Sequence, residues 1–476
     1  MMAKHALALA ALLGSSLVHA QPQAEGLAPL ALEQAVAMAL EHNLDVAIQR
    51  ESIRSAEAGV LEASGAFDPS VSSGYTTSED ERPLDAESST AAAGLTRVRT
   101  ESDSVNLGLS GQTPISTRYN LAARNRSSAD TFNEFEEEHN FTTSLTLTQP
   151  LLRGRGRDYT TYGIRLARRN LKVSRFDFRV QVERILIEVE SAYWDLYYAD
   201  RVLSVRSKSV DAAASLLKQI EVRLDVGAAS EAEKVQAQSG LAQRELSLLE
   251  ARRDRSRRNR TLKNLVLEDL ESIAPPFALS DRPETNRAID ARAAVLEEAL
   301  TRRPELKKSE IELTNARESL KRAQNDRRPQ VDLEASYGVN GLGGSFGDSF
   351  DSARDGEDNN WSIGIVYRKP WPDRQNKGAV QRQASALRAE ELRARQARRR
   401  IVLEIDDLLD RLEGAADQIK AGRPAVELAR LNLRNERIKY EQQKSTIHNI
   451  LELEAERLNA ELGLSRAEVD YAKALA

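Results

Sequence analysis

The sequence predicts an α+β protein made of a duplicated unit, short β-strands followed by a very long α-helical hairpin, and three observations carry that expectation. Residues 161–224 contain no proline and a single glycine, Gly163; at ~1.5 Å per residue such a helix reaches roughly 95 Å, far longer than a globular domain needs. Several segments alternate apolar and polar residues with period two, the signature of strands with one apolar and one wet face. Both features recur in the same order in the two halves of the chain, the mark of an internal duplication.

Taken from the N-terminus, residues 1–20 read as a signal peptide. Lys4 and His5 form a short basic region, residues 6–13 an apolar one, and Val18-His19-Ala20 a small-residue cleavage site before Gln21. No later segment has the length of a transmembrane helix, so in an exported chain any membrane crossing falls to strands. The first repeat is expected over 21–270, with strands at about 68–149 and a helical hairpin at about 160–270. The second is expected over 291–476, with strands at about 330–369 and a hairpin at about 376–476. Leu32-Glu33-Gln34-Ala35 opens the first copy and Leu296-Glu297-Glu298-Ala299 the second. Asp68-Pro69 and Arg328-Pro329 precede strands starting at Val71 and Val331, and Gln149-Pro150 answers Lys369-Pro370. Between the copies, residues 271–290 carry Pro275, Pro276 and Pro283 and read as a linker, because proline blocks helix continuation.

The strand alternation is explicit. Phe141, Leu145 and Leu147 fall on one face, with Thr142, Ser144, Thr146 and Thr148 on the other. Val331, Leu333, Ala335 and Tyr337 repeat the pattern, as do Trp361, Ile363, Ile365 and Tyr367, and Val105, Leu107 and Leu109. In an exported protein this fits lipid on one side and a wet lumen on the other, with Trp361, Tyr367 and Trp371 as interfacial anchors. Alternation alone fits a half-buried soluble sheet equally well.

The long helices speak against that second reading. Val182, Ile185, Val189, Tyr193 and Leu196, then Val210, Ala214, Leu217 and Leu224, step by three and four residues along a coiled-coil-like seam. Ile401, Ile405, Leu408, Leu412, Ala415 and Ile419 do the same in the second copy, ahead of Pro424, where a kink or local tilt is expected. Gly227 suits the left-handed residue after a helix end, and Ser230 suits the cap of the returning helix.

Composition closes off other classes. The net charge is −5, with 41% hydrophobic and 30% charged residues, which offers no basic stripe for nucleic acid. The chain has no cysteine, so thiol chemistry, thiolate metal sites and an N-terminal lipid anchor are unavailable. His42, His139 and His448 are scattered, with no helical metal spacing. No phosphate loop or nucleophile elbow appears, so neither an enzyme nor a cofactor is expected.

The arrangement resembles the TolC-like family of outer-membrane efflux and secretion proteins. The resemblance runs over roughly residues 30–476 and rests on Gln149-Pro150-Leu151-Leu152-Arg153-Gly154, the turn at 223–233, and the stretch from Lys439-Tyr440 to Asn459-Ala460. It implies a homotrimer in which three chains form one β-barrel in outer-membrane lipid, continuous with a coiled-coil tunnel in the periplasm. Strands near Val71, Phe141, Val331 and Trp361 would then be each chain's four barrel strands, with 91–125 as an additional extracellular hairpin. The implied function is a passive exit duct of a tripartite efflux pump or type I secretion system, fed by an inner-membrane transporter and a periplasmic adaptor. Adaptor docking maps by resemblance to Val226, Gly227, Ala228 and Ser230, and to Gln443, Lys444, Ser445 and Thr446. The periplasmic entrance maps to Asn449, Glu452, Glu233 and Tyr440. Asn449 departs from an acidic pattern, Ser445 stands where a basic partner of Tyr440 is expected, and Gln443 stands where the turn has glycine. The competing reading is a periplasmic coiled-coil scaffold or adaptor without a membrane barrel.

Overall fold

The computed structural model describes residues 30–475 apart from 93, 132–135, 269–275, 288–290 and 357. The expected signal peptide, and residues 271–275 and 288–290 of the expected linker, lie outside the described residues. The chain runs α1 (Leu32–His42), α2 (Leu44–Ser64), β1 (Ser70–Pro83), β2 (Arg97–Gln112), β3 (Arg118–Asp130), β4 (Glu138–Pro150), α3 (Tyr162–Asp225) and α4 (Glu231–Val266). It repeats as α5 (Arg292–Arg302), α6 (Pro304–Asp326), β5 (Gln330–Gly343), β6 (Asp358–Arg368), α7 (Arg374–Glu441) and α8 (Ile447–Leu475). Short helices at Ala86–Ala91, Arg157–Thr160 and Phe346–Asp355 sit between these. The opening helix of each copy is split where the sequence permits: Asn43 caps α2 through its side chain, and Pro304 begins α6, where a missing N–H costs nothing.

The chain divides into two compact units. One, residues 42–185 and 286–414, contains the sheet. All six strands form one antiparallel sheet in chain order, β1-β2-β3-β4-β5-β6. This corrects the expectation of four barrel strands and a separate extracellular hairpin: β2 and β3 lie inside the sheet, between β1 and β4, with full registers on both sides. The reason is pairing: thirteen consecutive partners join β2 to β3, from Thr100 with Asp130 to Gln112 with Arg118, and a hairpin that regular satisfies its own backbone only within a sheet. Ion pairs tie helices of this unit: Arg292 grips Asp406 through two N–H···O bonds of 2.6 and 2.9 Å, and Lys308 meets Asp177 at 2.7 Å.

The other unit, residues 186–285 and 415–476 with the N-terminal residues through Glu41, is helical. Its core follows heptads. Along α3 the buried line in this unit is Ala192, Ala199, Ala213 and Ile220, with Val189 and Leu196 beside it; Ile185, one heptad earlier, is the last residue of the sheet-bearing unit's first segment. This corrects the second half of the expected seam: Ala214 is exposed, and Val210, Leu217 and Leu224 are half-buried, because the line keeps a strict seven-residue step across Arg206. Along α7 the line in this unit is Ile419, Val426, Leu433 and Tyr440, preceded in the sheet-bearing unit by Ile405 and Leu412, and the helix continues through Pro424.

Two buried polar hubs fix this packing. The Tyr193 hydroxyl donates to the Leu30 carbonyl at 2.9 Å and accepts from the Asp281 amide at 3.2 Å. Leu30 pairs with Leu279 in a short parallel bridge, so the described part of the expected linker is a stitched strand partner of the N-terminus. Glu454, fully buried, accepts from Arg244 at 3.0 Å and from Arg437 at 2.7 Å, and Arg244 also donates to Ser209 at 3.2 Å. One carboxylate thereby joins α3, α4, α7 and α8. Replacing Glu454 by Ala strands Arg244, whose side chain is 13% exposed, and is expected to cost about 3 kcal/mol. Arg437→Ala, at a half-exposed partner, is expected to cost under about 1 kcal/mol. Guanidinium unfolding of both variants followed by helical circular dichroism checks the ordering; equal losses would remove Glu454 as the hub.

Candidate functional site

The sheet has one apolar face and one hydrophilic face across its full width. Directly opposed residues in antiparallel strands point the same way, so the registers can be read as rows. One row is Val71, Leu109, Leu121, Leu145, Tyr337 and Trp361, apolar on all six strands. The next, on the opposite face, is Ser72, Gly108, Ala122, Ser144, Gly338 and Asn360. The apolar face is uncovered: Val71 is 79% exposed, Trp361 73%, Ile363 70% and Ile365 68%. An apolar surface of this width marks contact with lipid or protein, because a soluble face would bury it or interrupt it with charge.

The apolar stretch also drifts along the strands. On β1 it occupies Val71 to Tyr75, whereas on β6 it occupies Trp361 to Tyr367, whose partners on β5 run down to Val331. Through the registers this is a slide of about five residues over five steps, about one residue per strand. Beyond the stretch on β4 and β5, the Phe346–Asp355 helix lies flat on the same face. A Cβ on Gly341 would sit 2.0 Å from the Ser349 carbonyl oxygen, so only glycine admits the helix there, and Phe141 packs edge-on to Phe350 at 5.3 Å.

In the helical unit, α3 turns into α4 and α7 into α8 through the same motif. Gly227 donates to the Leu224 carbonyl at 2.9 Å and Ala228 to Arg223 at 2.7 Å; Gln443 donates to Tyr440 at 2.9 Å and Lys444 to Lys439 at 2.8 Å. These pairs of bonds, three and five residues back, define a Schellman ending, with Gly227 at φ +68° and Gln443 at φ +61°. Three residues on, Ser230 and Thr446 stand at the N-caps. Ser230 Oγ accepts from the Glu233 amide at 3.3 Å and the Glu233 carboxylate accepts from the Ser230 amide at 2.8 Å, a closed capping box. Asn449 holds the matching place in the second turn, where its side-chain amide donates to Ser445 Oγ at 3.3 Å and to Glu436 at 3.4 Å.

Tyr440 lies between the turns in a cluster with Ile220, Ala237, Leu433, Ile447 and Ile450. Its hydroxyl is buried with no hydrogen-bond partner, and burial pushes its pKa up. The Arg223 guanidinium stacks over its ring at 4.9 Å, a cation–π contact from one hairpin to the other. Glu436 gathers Ser445 at 2.5 Å and Lys439 at 2.9 Å, and these hydrogen bonds hold its carboxyl below the ordinary value.

The sequence profile of the outer membrane efflux protein family matches residues 115–266 and 295–476, more than half of the chain and one segment in each copy. The chain belongs to that family. Its fold is similar to that of the outer-membrane channel OprN (17% identity, 93% of this chain and 88% of that chain, TM-score 0.70). It is similar also to CusC (13%, 94% and 92%, 0.68) and to VceC from Vibrio cholerae (16%, 93% and 95%, 0.64). No curated protein sequence matches significantly. As an outer membrane efflux protein it resides in the outer membrane, with a helical periplasmic portion.

Against this background the sequence-derived residues sort by location. Val226, Gly227, Ala228 and Ser230, and Gln443, Lys444 and Thr446, are exposed on the two turns; Ser445 is half-buried on Glu436. Glu233 is engaged in its own helix cap rather than in a bond to Tyr440. Glu452 is exposed, with no ion pair among the described residues, and Asn449 is exposed one turn before it. Sequence reasoning missed Arg223, which faces Tyr440, and Glu436, which places a carboxylate against Asn449. The spacing from Ser230 to Glu233 was the one local signal that Glu233 would cap.

Two outcomes follow at Gln443 and Glu436. Gln443→Gly relieves a left-handed backbone that a Cβ opposes and is expected to stabilise the protein by about 1 kcal/mol, read as a higher thermal midpoint; an unchanged or lower midpoint would contradict the turn geometry. Hydrogen bonds from Ser445 and Lys439 hold the folded Glu436 carboxyl below the ordinary glutamate value, so its contribution is present above that ordinary value and is lost as pH falls through the folded pKa. Glu436→Gln should therefore flatten the acid limb of a stability–pH curve measured between pH 6 and about 3.

Proposed function

We propose that three copies of this chain close a single β-barrel in outer-membrane lipid and a helical tunnel in the periplasm, forming a passive exit duct. The carrying observation is the exposed apolar face of a sheet whose two edge strands, β1 and β6, have no outer partner among the described residues. Six strands per chain is an even number, so β6 of one copy meets β1 of the next in antiparallel sense, and three copies give 3 × 6 = 18 strands. Barrels of that size leave an aqueous channel. The drift of the apolar stretch supports closure: one residue (~3.3 Å) per strand spacing (~4.8 Å) corresponds to a tilt of about 35°, within the range of outer-membrane barrels. Leu392, Leu403 and Leu428 are exposed on α7 and supply apolar surface for contact between copies.

The two turns are suited to a periplasmic adaptor, which would reach Val226, Gly227, Ala228 and Ser230 on one and Gln443, Lys444, Ser445 and Thr446 on the other. An inner-membrane transporter of an efflux pump or type I secretion system would supply cargo and energy. Asn449 and Glu452 project from the start of α8 and would line the entrance, where three Glu452 carboxylates favour cations. Glu233 and Tyr440 act there through the fold, one by capping α4 and the other by holding the two hairpins together.

Purified protein in detergent is expected to insert into planar bilayers and conduct steadily. A trivalent cation added from the periplasmic side should block wild-type current and block Glu452→Gln at least about tenfold less. Block that is equal in both would remove Glu452 from the entrance. Protein that stays soluble without detergent and never conducts would hand the case to a periplasmic scaffold.

A further inference from the structure

The β2–β3 hairpin changes the hydrophilic face of the sheet in one specific way. That face of β2 reads Thr100, Ser102, Ser104, Asn106, Gly108, Ser110 and Gln112, without charge. On β3 it reads Arg118, Asn120, Ala122, Arg124, Arg126 and Ser128, three cations and no acid before the strand end at Asp130. Arg118 is neutralised by buried Asp332 at 3.5 Å. Arg124 and Arg126 are exposed, and among the described residues no carboxylate lies within 4 Å of either.

Their directly paired neighbours carry no charge. Arg124 is flanked by Asn106 and Thr142, and Arg126 by Ser104 and Asn140. The acid in the Arg124 row, Asp358, is three strands away, about 14 Å. Glu334 faces the same side two strands off and several residues nearer the Gln112–Arg118 end, and Glu138 lies diagonally beyond Arg126 toward the Asp130 end. The two arginines stand two residues apart on one strand, with Cα atoms about 6.7 Å apart, and their like charges repel. Around them sit amide and hydroxyl groups that can donate hydrogen bonds. Two unneutralised cations within a field of donors is the chemistry of an oxyanion site, and rings of arginine in pores favour anions.

We infer that Arg124 and Arg126 form an anion-binding belt on the lumen wall, one pair per chain, that takes solutes carrying phosphate, sulfate or carboxylate groups. The inference rests on the duct reading above, since only a wet lumen lets solutes reach this face. It sets the barrel apart from the entrance, where Glu452 favours cations.

The test uses the full-length protein in planar bilayers, with tripolyphosphate as the probe, added from the side that the barrel faces. Wild-type current is expected to be blocked. The double variant Arg124→Gln/Arg126→Gln should need at least about tenfold more probe, and Arg124→Lys/Arg126→Lys should stay near wild type. Should the glutamine pair fail to assemble, the single variants Arg124→Gln and Arg126→Gln keep the test decisive: block in both equal to that of a chain altered at Arg118 alone, which keeps the pair, overturns the belt. Wild-type conductance with no block, or block equal in the glutamine variant, overturns the belt and leaves the duct standing. Absence of any wild-type conductance overturns the duct reading and the belt with it.

Discussion

The phase of a period-two alternation governs this protein more than any single contact. Each of six strands must present its apolar residues to the same side, and a slip of one residue on one strand would turn Leu145 and Leu147, or Ile363 and Ile365, to the hydrophilic face. The row from Val71 to Trp361 shows the phase held across pairings that join residues as far apart as Leu145 and Tyr337. Close contacts keep it within hairpins: the Thr113 amide donates to the Thr117 carbonyl at the β2–β3 turn, and Gly341 holds the Phe346–Asp355 helix against β5 where the next hairpin begins. The proposed barrel, with its lumen and its lipid contact, depends on that phase.

The helical unit answers to a different period and a different physics. Its seven-residue lines bury mostly Ala, Ile, Val and Leu, small and branched side chains that let helices approach closely, and Gly422 lets Leu464 come within 3.3 Å of where a side chain would begin, closer than ordinary contact. Such a seam sets spacing but tolerates sliding by a turn. The polar hubs remove that freedom. Glu454 with Arg244 and Arg437, and Tyr193 with Leu30 and Asp281, each have one register in which their hydrogen bonds close. Buried ionic groups of this kind add specificity of alignment more than stability.

What the sequence disclosed, and what it withheld, follows from the range of each interaction. The long helices, the strand faces on β4, β5 and β6, and the cap at Ser230 depend on residues within a few positions of one another, and they were legible. The duplication was legible through order rather than identity. Membership of β2 and β3 in the sheet was not, because the polar face of β3 carries Arg124 and Arg126 and its apolar face is marked only by Tyr119, Leu121 and Ala123. A hairpin with that pattern can stand alone or join a sheet, and only its pairing with β1 and β4 decides. Glu454 looked like one glutamate among many on a charged helix; its partner Arg244 lies 210 residues away. Arg223 was hidden from sequence for the same reason, since Tyr440 comes from the other copy of the duplicated unit.

The two helical turns carry a consequence for recognition symmetry. Their backbones repeat residue for residue: a left-handed position, a cap three residues later, and a third position three beyond that. Their side chains do not repeat, with Gly227, Ser230 and Glu233 in one and Gln443, Thr446 and Asn449 in the other. A partner that grips main chain sees the same surface twice on every chain, whereas a partner that reads charge sees two different surfaces. The number of equivalent places on the protein is therefore a property of the reader's chemistry, and the same pair of turns can serve partners of different stoichiometry.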